Sequence, residues 1–212
     1  MKQSFIALGI AALSAVLSGA SGNNSAVAQS PLPDSFNQAA VDQHNDYRKR
    51  HDAVNLQFDP SLAQTAQMWA DRLAAQPQQD LTHSLEDRSY QISSAPYGGK
   101  YGENLYVTPK TSLPAAELAS QAIKDWYGEI TLYRATSPGF QPEAGHFTQI
   151  IWKRTTKVGC GVAQGKFRYS DGRLFDSTYV VCQYNPAGNV DTPTEYAKNI
   201  SIKPNAQLRA MN

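Results

Sequence analysis

Apolar residues recur every three or four positions in three stretches of this chain, and alternate with polar ones in two stretches nearer its end. Phe36, Ala40, Val41, His44 and Tyr47 fall on one helical stripe. Ser35 with Gln38 three residues later fits a capping box, so the spacing predicts a first helix running to about His51. Leu62, Ala66, Trp69, Ala70 and Leu73 form a second stripe behind Asp59 and Pro60, an N-cap followed by proline at the first helical position, and Pro77 marks its end. Leu56 and Phe58 anchor the short connection between these two helices. After Pro114 a third stripe runs through Leu118, Ala122, Trp126, Ile130 and Tyr133. Residues 78–101 are polar and show no sustained period, and residues 136–144 hold two prolines and a glycine, so both read as loops.

Near the end, residues 158–163 alternate as a strand, and residues 178–184 carry the β-branched and aromatic residues that strands prefer. Asp171 and Gly172 between them are a hairpin turn signal. Cys160 and Cys182 are equidistant from Asp171, and each shares parity with its strand's apolar neighbours, so a simple hairpin brings them face to face. The chain's two cysteines are therefore expected to form one disulfide. Beyond Asn185 the residues Pro186, Ala187, Gly188 and Asn189 turn the chain away. The remaining residues, up to and including 203–212, have little pattern and read as a tail over the surface.

The first residues change the picture. A basic start, an apolar run from Phe5 to Ala20 and the small-residue motif at Ala26, Val27 and Ala28 predict a secretory signal peptide over residues 1–28. That run is too short and too rich in Ser and Gly for a comfortable membrane span, so the mature chain is expected to be secreted, or periplasmic or cell-surface in a bacterium. An oxidising compartment agrees with a disulfide in preference to a redox or metal pair, since the spacing matches no Cys-x-x-Cys pattern. The formal net charge is +1, with no basic run, which argues against nucleic acid or an anionic membrane as the main partner.

Candidate chemistry centres on residues 145–152, where His146 stands at the head of a short, strongly apolar segment. Glu129 lies three residues after Trp126 and seven after Ala122, which leans it toward the buried face of the third helix. A carboxylate there costs free energy unless it is paired, hydrogen-bonded or metal-bound. His83 and Glu103 sit in or beside the long loop, Glu103 next to a glycine that lets the backbone come close. His44 falls on an apolar stripe and reads as a core or supporting histidine in preference to a ligand. Ser84 follows His83 directly, and adjacent residues rarely present both side chains to one point, so a Ser-His hydrolase is disfavoured.

Five ordered motifs carry a resemblance: His44 to Arg48, Gly102 to Leu105, Trp126 to Glu129, Gly145 through Trp152, and Cys182 to Pro186 with Gly188 and Asn189. In these the chain resembles the CAP superfamily, named for cysteine-rich secretory proteins, antigen 5 and the pathogenesis-related class one proteins, also called the SCP domain. The resemblance covers essentially the mature domain, taken as residues 35–202. It implies an α+β fold, a three-layer α/β/α sandwich with a small antiparallel sheet between helices. It also implies a cleft of two histidines and two acids, which match His83, Glu103, Glu129 and His146, with His44 the competitor for the first histidine. Such a set is capable of holding zinc or another divalent cation, or of acid–base work by Glu103 and Glu129.

The expected function is a non-enzymatic extracellular binding module with a metal-capable cleft and a sterol or fatty-acid site near residues 136–144. The alternatives are a metal-assisted, peptidase-like hydrolase and a cell-wall or host-interaction protein, meeting an extracellular partner, whose cleft is vestigial. The chain departs from the family in having one cysteine pair where many members have three or more disulfides. It also departs in Gln183, where the family's Cys-Asn-Tyr carries asparagine.

Overall fold

A computed structural model describes residues 34–75, 80–84 and 100–202. The expected leader at 1–28, much of the loop at 78–101 and the tail at 203–212 lie outside the described residues. Helix α1 (Ser35–Arg48) is capped one residue earlier than the sequence pattern indicates: the Asp34 carboxylate accepts from the Asn37 N–H at 2.8 Å, while Gln38 turns to Asp42. An anion at a helix N-terminus also meets the positive end of the helix dipole, which favours Asp34 over Ser35. The chain then tightens into a 3₁₀ turn ending at His51 and enters β1 (Gln57–Phe58) and α2 (Pro60–Ala75), with Asp59 accepting from Ser61 and Leu62 as its N-cap.

Strand β2 (Gly102–Thr108) comes next, in a segment whose polar positions hide it from a periodicity reading. Helix α3 (Ala115–Gly128) continues as a 3₁₀ turn over Glu129–Thr131, and a further 3₁₀ turn at Pro142–Ala144 leads into the short α4 (Gly145–Ile151). Strands β3 (Lys157–Arg168) and β4 (Leu174–Asn185) form a hairpin longer than the alternation alone predicts. Its turn is at Asp171 and Gly172, the latter at φ +81°, and its register sets Cys160 opposite Cys182, which are joined as the expected disulfide.

The sheet order is β1-β3-β4-β2, antiparallel except where β1 runs parallel to β3. Parity along β3 decides the layers. Gly159, Gly161 and Gly165 face α2, and a Cβ on any of them would stand 2.1 to 2.4 Å from α2 backbone atoms, so the helix lies directly on the strand. The even positions Val158 and Cys160 face the other layer, where they join α1, α3 and α4 in the larger apolar cluster around Trp126, Phe147 and Trp152. Trp69, Leu105, Tyr179 and Val181 fill the α2 side. The result is the α/β/α sandwich, with every residue of the predicted second and third stripes buried.

Side-chain carboxamides complete the edge of the sheet beyond the two residues of β1. Asn37 exchanges hydrogen bonds with both backbone groups of Cys160, and Gln67 does the same for Val162. Each satisfies an N–H and a C=O that a longer strand would otherwise have taken. The stretch after Asn189 is not the featureless tail expected from the sequence: α5 (Pro193–Asn199) forms there, with Thr192 accepting from the Glu195 N–H at 3.2 Å and Tyr196 buried edge-on against Trp152. Among the described residues no helix is long and apolar enough to cross a membrane.

Candidate functional site

Glu103 and Asn104 are neighbours on β2, so their side chains leave opposite faces of the sheet. That parity organises the site. On the α2 side, Glu103 Oε1 accepts from His83 Nδ1 at 3.0 Å and from the Ser84 N–H at 2.9 Å, while Oε2 accepts from Ser84 Oγ at 2.7 Å and Gln183 Nε2 at 2.8 Å. Its side chain is only 4% exposed, and four donors occupy its two oxygens. A Cβ on Gly102 beside it would fall 2.0 Å from Gln149 Oε1 and displace that amide, which ties α4 to the Gly188 N–H at 2.9 Å.

On the other side, Asn104 donates to the His146 carbonyl and to the Tyr184 hydroxyl, each at 3.2 Å. Glu129 arrives from the end of α3. Its Oε1 accepts from His146 Nδ1 at 2.6 Å, and its Oε2 accepts from the backbone N–H groups of His146 and Phe147 at 3.1 and 3.2 Å. The carboxylate therefore serves as the N-terminal cap that α4 lacks from its own sequence. The His146 ring lies over Trp126 with centroids 5.9 Å apart, and Trp126 Nε1 donates to the Leu105 carbonyl at 3.0 Å on the outer edge of β2. Side-chain exposures of 35% for His146 and 21% for Glu129 leave this pair more open than Glu103.

The four sequence-derived site residues are thus gathered as two His–Glu pairs flanking the start of β2. In both pairs the imidazole gives Nδ1–H to a carboxylate, the arrangement that fixes the tautomer with Nε2 as the basic nitrogen and tunes metal-ligating histidines. Each pair offers one imidazole nitrogen of the kind a zinc ion takes, with a carboxylate to orient it. The two pairs do not form one four-ligand cage: among the described residues, no three His, Cys, Asp or Glu side chains converge closely enough to hold an ion.

His44 stands behind the site. Its Nδ1 donates to the Ala40 carbonyl at 2.7 Å, which leaves Nε2 to accept from the Tyr184 hydroxyl at 2.8 Å; that hydroxyl in turn accepts from Asn104. Burial, with a smaller push from the Arg48 charge, lowers the His44 pKa to about 4, so the ring is neutral, as a supporting histidine should be. The sequence reading missed Asn104, Gln183 and Arg48. Asn104 takes its meaning from its parity on β2, a strand the periodicity did not show, and nothing local in the sequence points Gln183 at Glu103.

A three-layer helix–sheet–helix protein with paired His–Glu groups at one end of its sheet is the class that fold and site define. Residues 41–184 match the cysteine-rich secretory protein family, CAP, and the chain belongs to it. It is 35% identical over 166 residues to protein PRY2 of Saccharomyces cerevisiae, covering 78% of this chain and 41% of that one. Golgi-associated plant pathogenesis-related protein 1 of Homo sapiens is 32% identical over 166 residues, covering 78% of this chain and 92% of its own length. Among solved structures, NaASP2 with Zn2+ superposes at a TM-score of 0.58 with 23% identity, covering 82% of this chain and 89% of that one, a likeness of fold. The chain spans less than half of PRY2, so it matches one part of that longer protein.

Proposed function

We propose that this chain is a secreted, non-enzymatic binding module whose two carboxylate-held imidazoles, His83 and His146, take zinc or a similar divalent cation. Residues 1–28 serve as its secretion signal, residues 35–202 as its domain and residues 203–212 as a tail. The observation that carries the reading is the shared Nδ1–H to carboxylate bond, at 3.0 Å for His83 and 2.6 Å for His146. Binding is favoured over hydrolysis because the Ser84 hydroxyl spends its proton on Glu103 at 2.7 Å, so it has no histidine base to activate it. Glu103 and Glu129 are each engaged by three or more donors, which suits orienting groups better than proton shuttles.

A sterol or fatty acid is the second ligand proposed. Leu132 and Phe140, 54% and 46% exposed, flank and occupy the loop at 136–144, and Phe140 lies against Gly145 at the head of α4. These two side chains give an apolar ligand a contact beside the polar groups of the site. Zinc titration of the wild type and of His83→Ala and His146→Ala tests the first part. Each variant is expected to bind at least about tenfold more weakly, and equal affinity in all three would remove the metal site. Labelled sterol and fatty acid, offered to wild type and Phe140→Ser, test the second, with capture expected only by the wild type.

A further inference from the structure

The Glu103 carboxylate is reached from α2 by a chain of hydrogen bonds whose directions are fixed by chemistry alone. Glu103 Oε2 can only accept, so the group 2.8 Å away must be the Gln183 amide nitrogen. The Gln183 carbonyl oxygen then faces Thr65 Oγ1 at 2.6 Å, and Thr65 must donate. The hydroxyl therefore gives its proton to Gln183 rather than to the carbonyls of Ser61 and Leu62, which lie farther off at 3.1 and 3.2 Å. Both Thr65 and Gln183 are fully or nearly fully buried, so no solvent can substitute for either bond.

We propose that Gln183, oriented by Thr65, is a positioning residue for His83: it pins the Glu103 carboxylate so that His83 keeps its proton on Nδ1 and presents Nε2 as its basic nitrogen. The length of the side chain is part of the device. Gln183 sits directly across the ladder from Glu103 and spans from the floor of α2 to the carboxylate; asparagine, one methylene shorter, cannot make both bonds from the same Cα. The remaining donors to Glu103, from Ser84 and His83, come from one segment on one side. Ser84 holds both oxygens from that segment, and Gln183 adds the one donor anchored in β4, so its loss leaves the carboxylate held from a single segment that can shift with it. The proposal rests on the two-imidazole reading of the site, but it makes a claim about the metal-free protein as well.

The test is the ring-nitrogen NMR spectrum of His83 in the metal-free protein, followed by zinc titration, for wild type, Gln183→Asn and Thr65→Val. The wild type is expected to show the Nδ1–H tautomer once neutral. Gln183→Asn is expected to shift His83 toward a mixture with the Nε2–H tautomer and to weaken zinc binding about tenfold, the usual effect of losing an outer orienting group. Thr65→Val, nearly isosteric, is expected to change both readouts in the same direction by less, and serves alone if the asparagine variant fails to fold. A His83 tautomer unchanged in Gln183→Asn, or in Thr65→Val where that variant stands alone, overturns the proposal. Absence of zinc binding in the wild type would sink the metal reading while leaving the tautomer comparison to decide the role of Gln183.

Discussion

Glu129 grips His146 twice, through the ring Nδ1 at 2.6 Å and through the backbone N–H at 3.1 Å. One carboxylate thereby sets both the orientation of the imidazole and the start of the helix that carries it. Glu129→Ala removes three hydrogen bonds and the cap of α4, and the expected loss is about 2 kcal/mol. Glu129→Gln keeps the shape and one acceptor oxygen, so it should lose less stability while still releasing the ring. Urea unfolding measures the first effect and the His146 ring-nitrogen spectrum the second. Stability equal to wild type in Glu129→Ala would show that α4 needs no cap.

The other end of α4 is held by the opposite charge. Arg48 is buried, and its guanidinium donates to four carbonyls: Val54 at 2.7 Å, Ile150 at 2.8 Å, Trp152 at 2.9 Å and Thr155 at 2.7 Å. A seven-residue helix is too short to persist alone, and a cation on its last carbonyls with an anion on its first amides compensates. Desolvation lowers the Arg48 pKa to about 10, which still leaves it charged at neutral pH. Arg48→Met should cost about 3 to 5 kcal/mol by stranding these acceptors. Arg48→Lys cannot reproduce the fork and should recover only part of the loss. Chemical denaturation of both variants checks the order.

Much of this was legible in the sequence, for identifiable reasons. The hairpin and its disulfide follow from symmetry about Asp171, because the period of a strand is two and a register centred on a turn leaves no freedom. Glu129 was legible because a carboxylate leaning into an apolar stripe demands a partner. Strand β2 was not, since its edge position mixes the buried polar Asn104 with half-exposed neighbours and breaks the alternation. Helix α5 escaped although Thr192, Pro193 and Glu195 spell an N-terminal cap, the signal being real but the apolar stripe behind it reduced to Tyr196. Arg48, Asn37 and Gln67 satisfy backbone groups about a hundred residues away, and no local pattern encodes that.

The disulfide lies buried between the two longest strands, so its effect should be on the unfolded chain more than on the native contacts. Closing a loop of 22 residues stabilises by on the order of 3 kcal/mol in the chain-entropy picture. The double variant Cys160→Ala with Cys182→Ala is expected to lose about that much in urea unfolding. The wild-type protein should also resist mild reductant while folded. A double variant as stable as wild type would place the stabilisation elsewhere in the hairpin.

Close approach of α2 to β3 makes its glycines intolerant. A Cβ at Gly161 would stand 2.3 Å from both the Cα and the N of Gln67, which are helix backbone atoms and cannot rotate aside. Gly161→Ala must push α2 off the sheet, breaking the Gln67 bonds to Val162 in the process, and should cost about 3 kcal/mol. Gly128→Ala, with nothing within 4 Å of the added methyl, is the matched control and should be nearly neutral. Thermal melting of the pair separates a packing effect from a general intolerance of glycine replacement.

Acid sensitivity should trace to His44. Its pKa is lowered from 6.5 to about 4 in the folded protein by burial, so between those values the unfolded chain binds a proton that the native state does not. Stability therefore falls as pH drops through that window, by on the order of 3 kcal/mol from this residue, and the penalty is complete below about 4. Structure explains why the native state refuses the proton. Nδ1 already donates to Ala40, so a second proton would sit on Nε2 facing the Tyr184 hydroxyl, which would have to reverse while still accepting from Asn104. The Tyr184 proton, no longer taken by His44, would then need another acceptor inside the core. Urea unfolding of wild type and His44→Gln across the same pH range checks this: the variant, less stable at neutral pH, should lack the wild-type slope, and parallel profiles would show that another group carries the acid sensitivity.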